Sequence, residues 1–158
     1  MAFWRVALMV CVAMGTGAAQ QVRDMSGTWQ LNVARSSWGK HAKPSSGTVV
    51  IEHHEPAFKY TGTVAMNLGS ETADKRSFSF DGAIDGQPHP VTGSSGAGTM
   101  TLRRVSPSSI ESEFRSNQGA LLETAKTTVS PDGKTMTREL KANGPNGNVS
   151  WVELYDRQ

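Results

Sequence analysis

From Gln20 onward the chain never repeats apolar residues every three to four positions for long enough to make a helix. Apolar and polar residues instead alternate in short runs separated by turn residues. Ten such runs are expected as strands: 27–32, 48–54, 58–65, 72–80, 89–92, 99–105, 109–116, 120–129, 134–142 and 148–156. The turns between them are marked as clearly as the strands. Ser130-Pro131-Asp132-Gly133 supplies a fixed φ, a side-chain acceptor and a residue at ease with positive φ, so its flanking strands form a hairpin. The segment 143–148 and the sites at Pro107-Ser108 and Gly119 read in the same way. Consecutive hairpins make an antiparallel meander, and a meander this long leaves two unpaired edges unless it closes. The expected fold is therefore all-β, a single antiparallel up-and-down β-barrel of about eight to ten strands over residues 20–158.

Two stretches break the rhythm. VARSSWGKHAKPSS, at 33–46, is long for a hairpin loop and carries an isolated Trp38. Loops of this length in compact domains often serve as covers, and this one is expected over a barrel mouth. GSSGAG, at 93–98, offers flexibility and no chemistry.

The first nineteen residues have the order of a secretory leader: a charge at Arg5, an apolar run from Val6 to Met14, and small residues at Gly17, Ala18 and Ala19. Cleavage is expected between Ala19 and Gln20, with a periplasmic or secreted product. Cys11 follows Val10 deep in the apolar run and suits an ordinary leader better than a lipid attachment site. Because Cys11 is the only cysteine, residues 20–158 can form no disulfide, cysteine nucleophile or thiolate metal site. A formal net charge of +2 without basic blocks gives no electrostatic case for nucleic acid or an anionic membrane surface. The apolar run is also too short to span a bilayer, and no integral membrane segment is expected in the mature chain.

GTWQLN, at 27–32, resembles the Gly-x-Trp signature on the first strand of lipocalins and fatty-acid-binding proteins, the calycin barrels. With TVVIEHH, DGQPHPVTGS, TMTLRRVS, TVSPDGKTMT and WVELYDRQ further along, the chain from Ser26 to Gln158 looks like small exported lipocalin-like proteins of bacteria. The Thr-Asp-Tyr motif of true lipocalins is absent. The resemblance implies that Gly27 permits a close approach between strands. It also implies that Trp29 covers the closed end of the barrel against a basic side chain from the last strands, for which Arg138 and Arg157 both qualify.

Residues two apart on a strand share a face. Met100, Leu102 and Arg104 form one such set, as do Ile110, Ser112 and Phe114, and Met136, Arg138 and Leu140. On the last strand Trp151, Glu153 and Tyr155 oppose Val152 and Leu154. Turning the more apolar faces inward carries Arg104 and Arg138 to the interior or its rim, where an unpaired cation costs several kcal/mol. One reading makes Arg104 or Arg138, with Tyr60 and Tyr155, the clamp for the carboxylate of an amphipathic ligand whose tail lies along Met100, Met136 and Phe114. The other makes these arginines structural: Arg138 stacked on Trp29, Arg104 at a strand end, and Glu153 paired with one of them.

His53 and His54 are neighbours on a strand and point to opposite faces, so they do not chelate one ion. Surface roles are expected for both, and no metal site. No Gly-x-Ser-x-Gly, HExxH or phosphate-binding glycine loop is present, Glu111 and Glu113 read as a solvated face beside Arg115, and neither catalytic residues nor a cofactor are expected. Three functions remain open. The first is a barrel that binds a small hydrophobic or amphipathic molecule. The second is a filled barrel that docks an envelope protein through its loops, with Trp38 as anchor. The third is an enzyme on a calycin-like barrel, drawing on Glu52, His53, His54 and Arg104.

Overall fold

The computed structural model describes residues 21–66, 74–94, 96–144 and 147–158, and every regular element among them is a β-strand. They are β1 (Gly27–Leu31), β2 (Ser46–His54), β3 (Ala57–Met66), β4 (Asp74–Ala83), β5 (Pro88–Thr92), β6 (Gly98–Ser106), β7 (Ser109–Ser116), β8 (Leu121–Val129), β9 (Thr135–Gly144) and β10 (Gly147–Arg157). Each pairs antiparallel with the next. β1 also pairs with β10, through Trp29↔Arg157, Gln30↔Asp156 and Leu31↔Tyr155, so the sheet closes into an up-and-down barrel. The ten expected strands are the ten observed, with ends displaced by at most a few residues. The leader and its cut, the start of the fourth expected strand at Thr72, Ser95 in the GSSGAG loop, and the centre of the turn at 145–146 lie outside the described residues.

Strict alternation of strand direction sends the connections to two ends. The segment before β1 and the turns after β2, β4, β6 and β8 share one end; the connections after β1, β3, β5, β7 and β9 share the other. The first end is packed shut. Met25, Trp29, Phe58, Leu102, Val129 and Met136 are all at most 3% exposed there. The space left among Ile51, Phe58, Ile110 and their neighbours is a void of only about 40 Å³. Each large apolar side chain buried this way stabilises by roughly 1.5–3 kcal/mol.

Trp29 is the floor of this core. It is fully buried, and its indole N–H donates to the Met25 carbonyl at 3.0 Å. The Arg157 guanidinium lies 4.3 Å above the ring centroid. Arg157 is itself fixed by the carbonyls of Gly133 at 2.7 Å and Asp24 at 3.2 Å, and by that of Ser26. The partner of Trp29 is thus Arg157, and the stacking of Arg138 on Trp29 is corrected: Arg138 points into the interior from the middle of β9. Gly27 has φ of 128°, and a Cβ there would sit 3.1 Å from the Arg157 guanidinium. Only glycine meets both conditions cheaply.

His53 departs from the expected surface role, whereas His54, on the opposite face, is exposed. His53 is 5% exposed because the segment 21–26 folds beneath it. Its Nδ1 accepts from the Met25 amide at 3.2 Å, and its Nε2 lies 2.9 Å from Glu55 Oε1, which also holds Arg104. Burial pulls the Glu55 carboxyl up, but hydrogen bonds from His53 and Arg104 outweigh it and hold the group below its usual range. Hydrogen bonds from Ser26 lower Asp24 as well. A carboxyl whose folded value is depressed contributes stability above its unfolded value and loses it as pH falls through the folded one. Acidification below about pH 4 is therefore expected to release residues 21–26 before the barrel opens. Hydrogen exchange at the Met25 amide would report this, and uniform exchange across the barrel would refute it.

Candidate functional site

The other end is hollow. A cavity of about 420 Å³ lies between the packed floor and the connection 32–45, walled by Leu31, Val64, Met66, Phe78, Val91 and Phe114 among others. The connection is held against β10 where the short β1 no longer reaches. Ser37 N donates to Val152 O at 2.8 Å, Val152 N to Ser37 O at 2.7 Å, and Leu154 N to Ser36 Oγ at 2.9 Å. Beyond Ser37 it crosses the mouth. Trp38 packs inward against both apolar clusters, with its indole N–H on the Val33 carbonyl at 3.2 Å. The His41 ring stacks on Trp151 with centroids 4.0 Å apart, its Nδ1 buried without a hydrogen-bond partner. The long loop covers the mouth, as its length suggested.

One wall is aromatic. Tyr60 on β3 meets Phe78 edge-on at 5.3 Å and stacks on Phe80 at 5.5 Å, and its hydroxyl donates to Met100 Sδ at 3.3 Å. Burial pushes the Tyr60 phenol well above its ordinary value, so it remains a neutral donor. The Phe78 ring lies flat over Gly62, where a Cβ would come within 2.1 Å of it. Replacing Gly62 by alanine evicts that ring into the cavity. The expected cost is about 1–3 kcal/mol, with reduced capacity for any guest. An unchanged midpoint in urea would show that the ring relaxes freely.

The polar groups converge on the opposite side. Arg138 on β9 and Glu153 on β10 are directly paired in register. Arg138 Nη1 donates to Glu153 Oε2 at 3.2 Å, and its Nη2 lies 4.0 Å from Glu123 Oε1 on β8. Glu153 accepts three hydrogen bonds: besides Arg138, it accepts from Tyr155 Oη and Trp151 Nε1, both at 2.9 Å. Burial raises the Tyr155 phenol, helped by the charge of Glu153. Burial works against the Arg138 cation, yet Glu153 and its neighbours more than offset it and keep the guanidinium protonated. Glu123 differs. Burial lifts its carboxyl above the usual range against the pull of Arg138, and among the described residues no group donates a hydrogen bond to it.

Of the residues singled out in the sequence, Arg138, Tyr60, Tyr155, Trp38, Met100 and Phe114 line this one cavity. Met136 lies under its floor, beside the small void. Arg104 does not join them. It stands at the packed end with Glu55 and His53, and the carboxylate clamp that paired it with Tyr60 has no geometric basis. Glu123 and His41 were missed as cavity residues. Glu123 shares the inward phase of Ala125 and Val129 on β8, and a carboxylate in phase with buried apolar residues was the signal that could have found it.

A depression of about 530 Å³ on the outer surface is lined by Arg103, Glu111, Glu113 and Lys126, whose alternating charges neutralise one another. No group of three or more His, Asp or Glu side chains is placed to hold a metal ion among the described residues, and no helix there is long and apolar enough to cross a membrane. No known protein family's sequence model matches the chain, and no curated protein matches it significantly.

Proposed function

We propose that this chain is an exported, lipocalin-like barrel, periplasmic or secreted, that binds a small hydrophobic or amphipathic molecule in the cavity at its open end. The observation that carries the reading is the division of the interior: a filled lower half, and above it a cavity of about 420 Å³ with apolar walls and a few converging polar groups. That is the ordinary composition and size of a small-molecule site. A barrel filled throughout and docking partners through Trp38 is less well supported, because Trp38 packs inward instead of presenting an apolar loop patch. An enzymatic reading has little support, since Glu52 and His54 are solvent-facing and His53 and Arg104 sit at the closed end.

The test uses a neutral apolar fluorophore, N-phenyl-1-naphthylamine, titrated into the protein and into a Val64→Trp variant whose indole projects into the cavity and obstructs it. Saturable, blue-shifted emission with wild type and its loss in the folded variant are expected. No saturable signal with wild type, or equal binding by the variant, would overturn the cavity as a binding site. Native mass spectrometry of protein purified from its own host would add whether a guest travels with it.

A further inference from the structure

We infer that the guest is held by its polar end against Glu123 and that this end is a protonated amine, so the cavity selects lipophilic amines over fatty acids. The inference rests on the proposed binding function and adds the class of ligand to it. An arginine inside a barrel invites a carboxylate, but the charge of this one is already matched. Arg138 donates to Glu153 at 3.2 Å with Glu123 4.0 Å away, so two carboxylates face one guanidinium. With Glu123 ionised the cluster carries a surplus negative charge in a partly desolvated space, where an added carboxylate is repelled and an added cation attracted.

The two glutamates are not equivalent. Glu153 already accepts three hydrogen bonds, from Arg138, Tyr155 and Trp151. Glu123 lines the cavity, stands at the edge of ion-pair distance from Arg138, and accepts no hydrogen bond among the described residues. It is the acceptor left over once the local network has been satisfied. An ammonium group placed against it makes charge-assisted hydrogen bonds while its apolar body lies along Phe78, Met100 and Phe114. Among the described residues, the other ionisable groups lining the cavity are few. Tyr60 and Tyr155 stay neutral, Arg76 at the rim is paired with Asp74 at 3.1 Å, and His41 is stacked on Trp151.

Displacement of N-phenyl-1-naphthylamine by decylamine, decanoic acid and decanol, at equal chain length, tests this. At neutral pH decylamine is expected to compete at about tenfold lower concentration than decanoic acid, the effect of one charge-assisted contact. Glu123→Gln should lose that preference, with decylamine and decanol competing alike. Because burial raises the Glu123 carboxyl, amine affinity should also fall as pH drops through its titration, with fluorophore affinity constant. If decanoic acid or decanol competes as well as decylamine, or if Glu123→Gln leaves the preference intact, the amine assignment is overturned and the cavity reading stands. If the fluorophore itself fails to bind wild type, both fall together.

Discussion

Trp29→Ala is expected to destabilise the barrel by about 3–5 kcal/mol, the range for deleting a large aromatic from a packed core. The indole has no exposed surface, lies beneath Arg157 and donates to the Met25 carbonyl. Its removal opens a hole at the closed end, leaves the Arg157 cation without its aromatic face, and unties the segment 21–26 that covers His53. Marginal domains have only about 5–15 kcal/mol in total, so the variant should lose much of its urea resistance or fail to accumulate. Trp29→Phe keeps most of the area but forfeits the hydrogen bond and should fall between. The check is a urea series on the three proteins. A Trp29→Ala midpoint indistinguishable from wild type would show that the indole is not what holds the floor.

The second large effect belongs to Glu153→Leu. Glu153 is 13% exposed and Arg138 17%, and one carboxylate takes hydrogen bonds from Arg138, Tyr155 and Trp151. Removing it strands three donors and leaves Arg138 with Glu123 alone. Breaking such a pair by truncating one partner typically costs about 3–5 kcal/mol. Because the cavity admits water to part of the guanidinium, a loss near the lower bound is expected. The double variant Glu153→Leu, Arg138→Met should recover most of it, since an uncompensated charge costs more than the pair contributes. If the double variant is no better than the single, the damage lies in lost packing against Trp151 and Tyr155, not in the stranded charge.

Much of the fold was legible because a closed antiparallel meander is written in local signals. Ser130-Pro131-Asp132-Gly133 announces its hairpin, and period-two alternation assigns the faces of Met136, Arg138 and Leu140 without knowledge of any partner strand. What was not legible depends on distance along the barrel axis. Arg104 and Arg138 are both inward by phase, yet one sits at the packed end and the other beside the cavity, because stagger between strands sets depth and no local pattern encodes it. The choice between Arg138 and Arg157 for Trp29 hinged on the register of β10 against β1, a pairing between residues more than a hundred positions apart. His53 looked like a surface residue since nothing in its neighbourhood reveals that residues 21–26 return beneath it.

The split between a solid lower tier and a hollow upper one has a consequence for how such a protein can change. Trp29, Phe58, Leu102, Val129 and Met136 fill the lower tier and do not line the cavity, whereas Val64, Met66, Phe114 and Glu123 line it and are only partly buried. Substitutions at Val64, Met66 or Phe114 can redraw the shape of the chamber while leaving the floor intact, whereas those at Gly62, Glu153 or Tyr155 alter the chamber and the stability of the chain together.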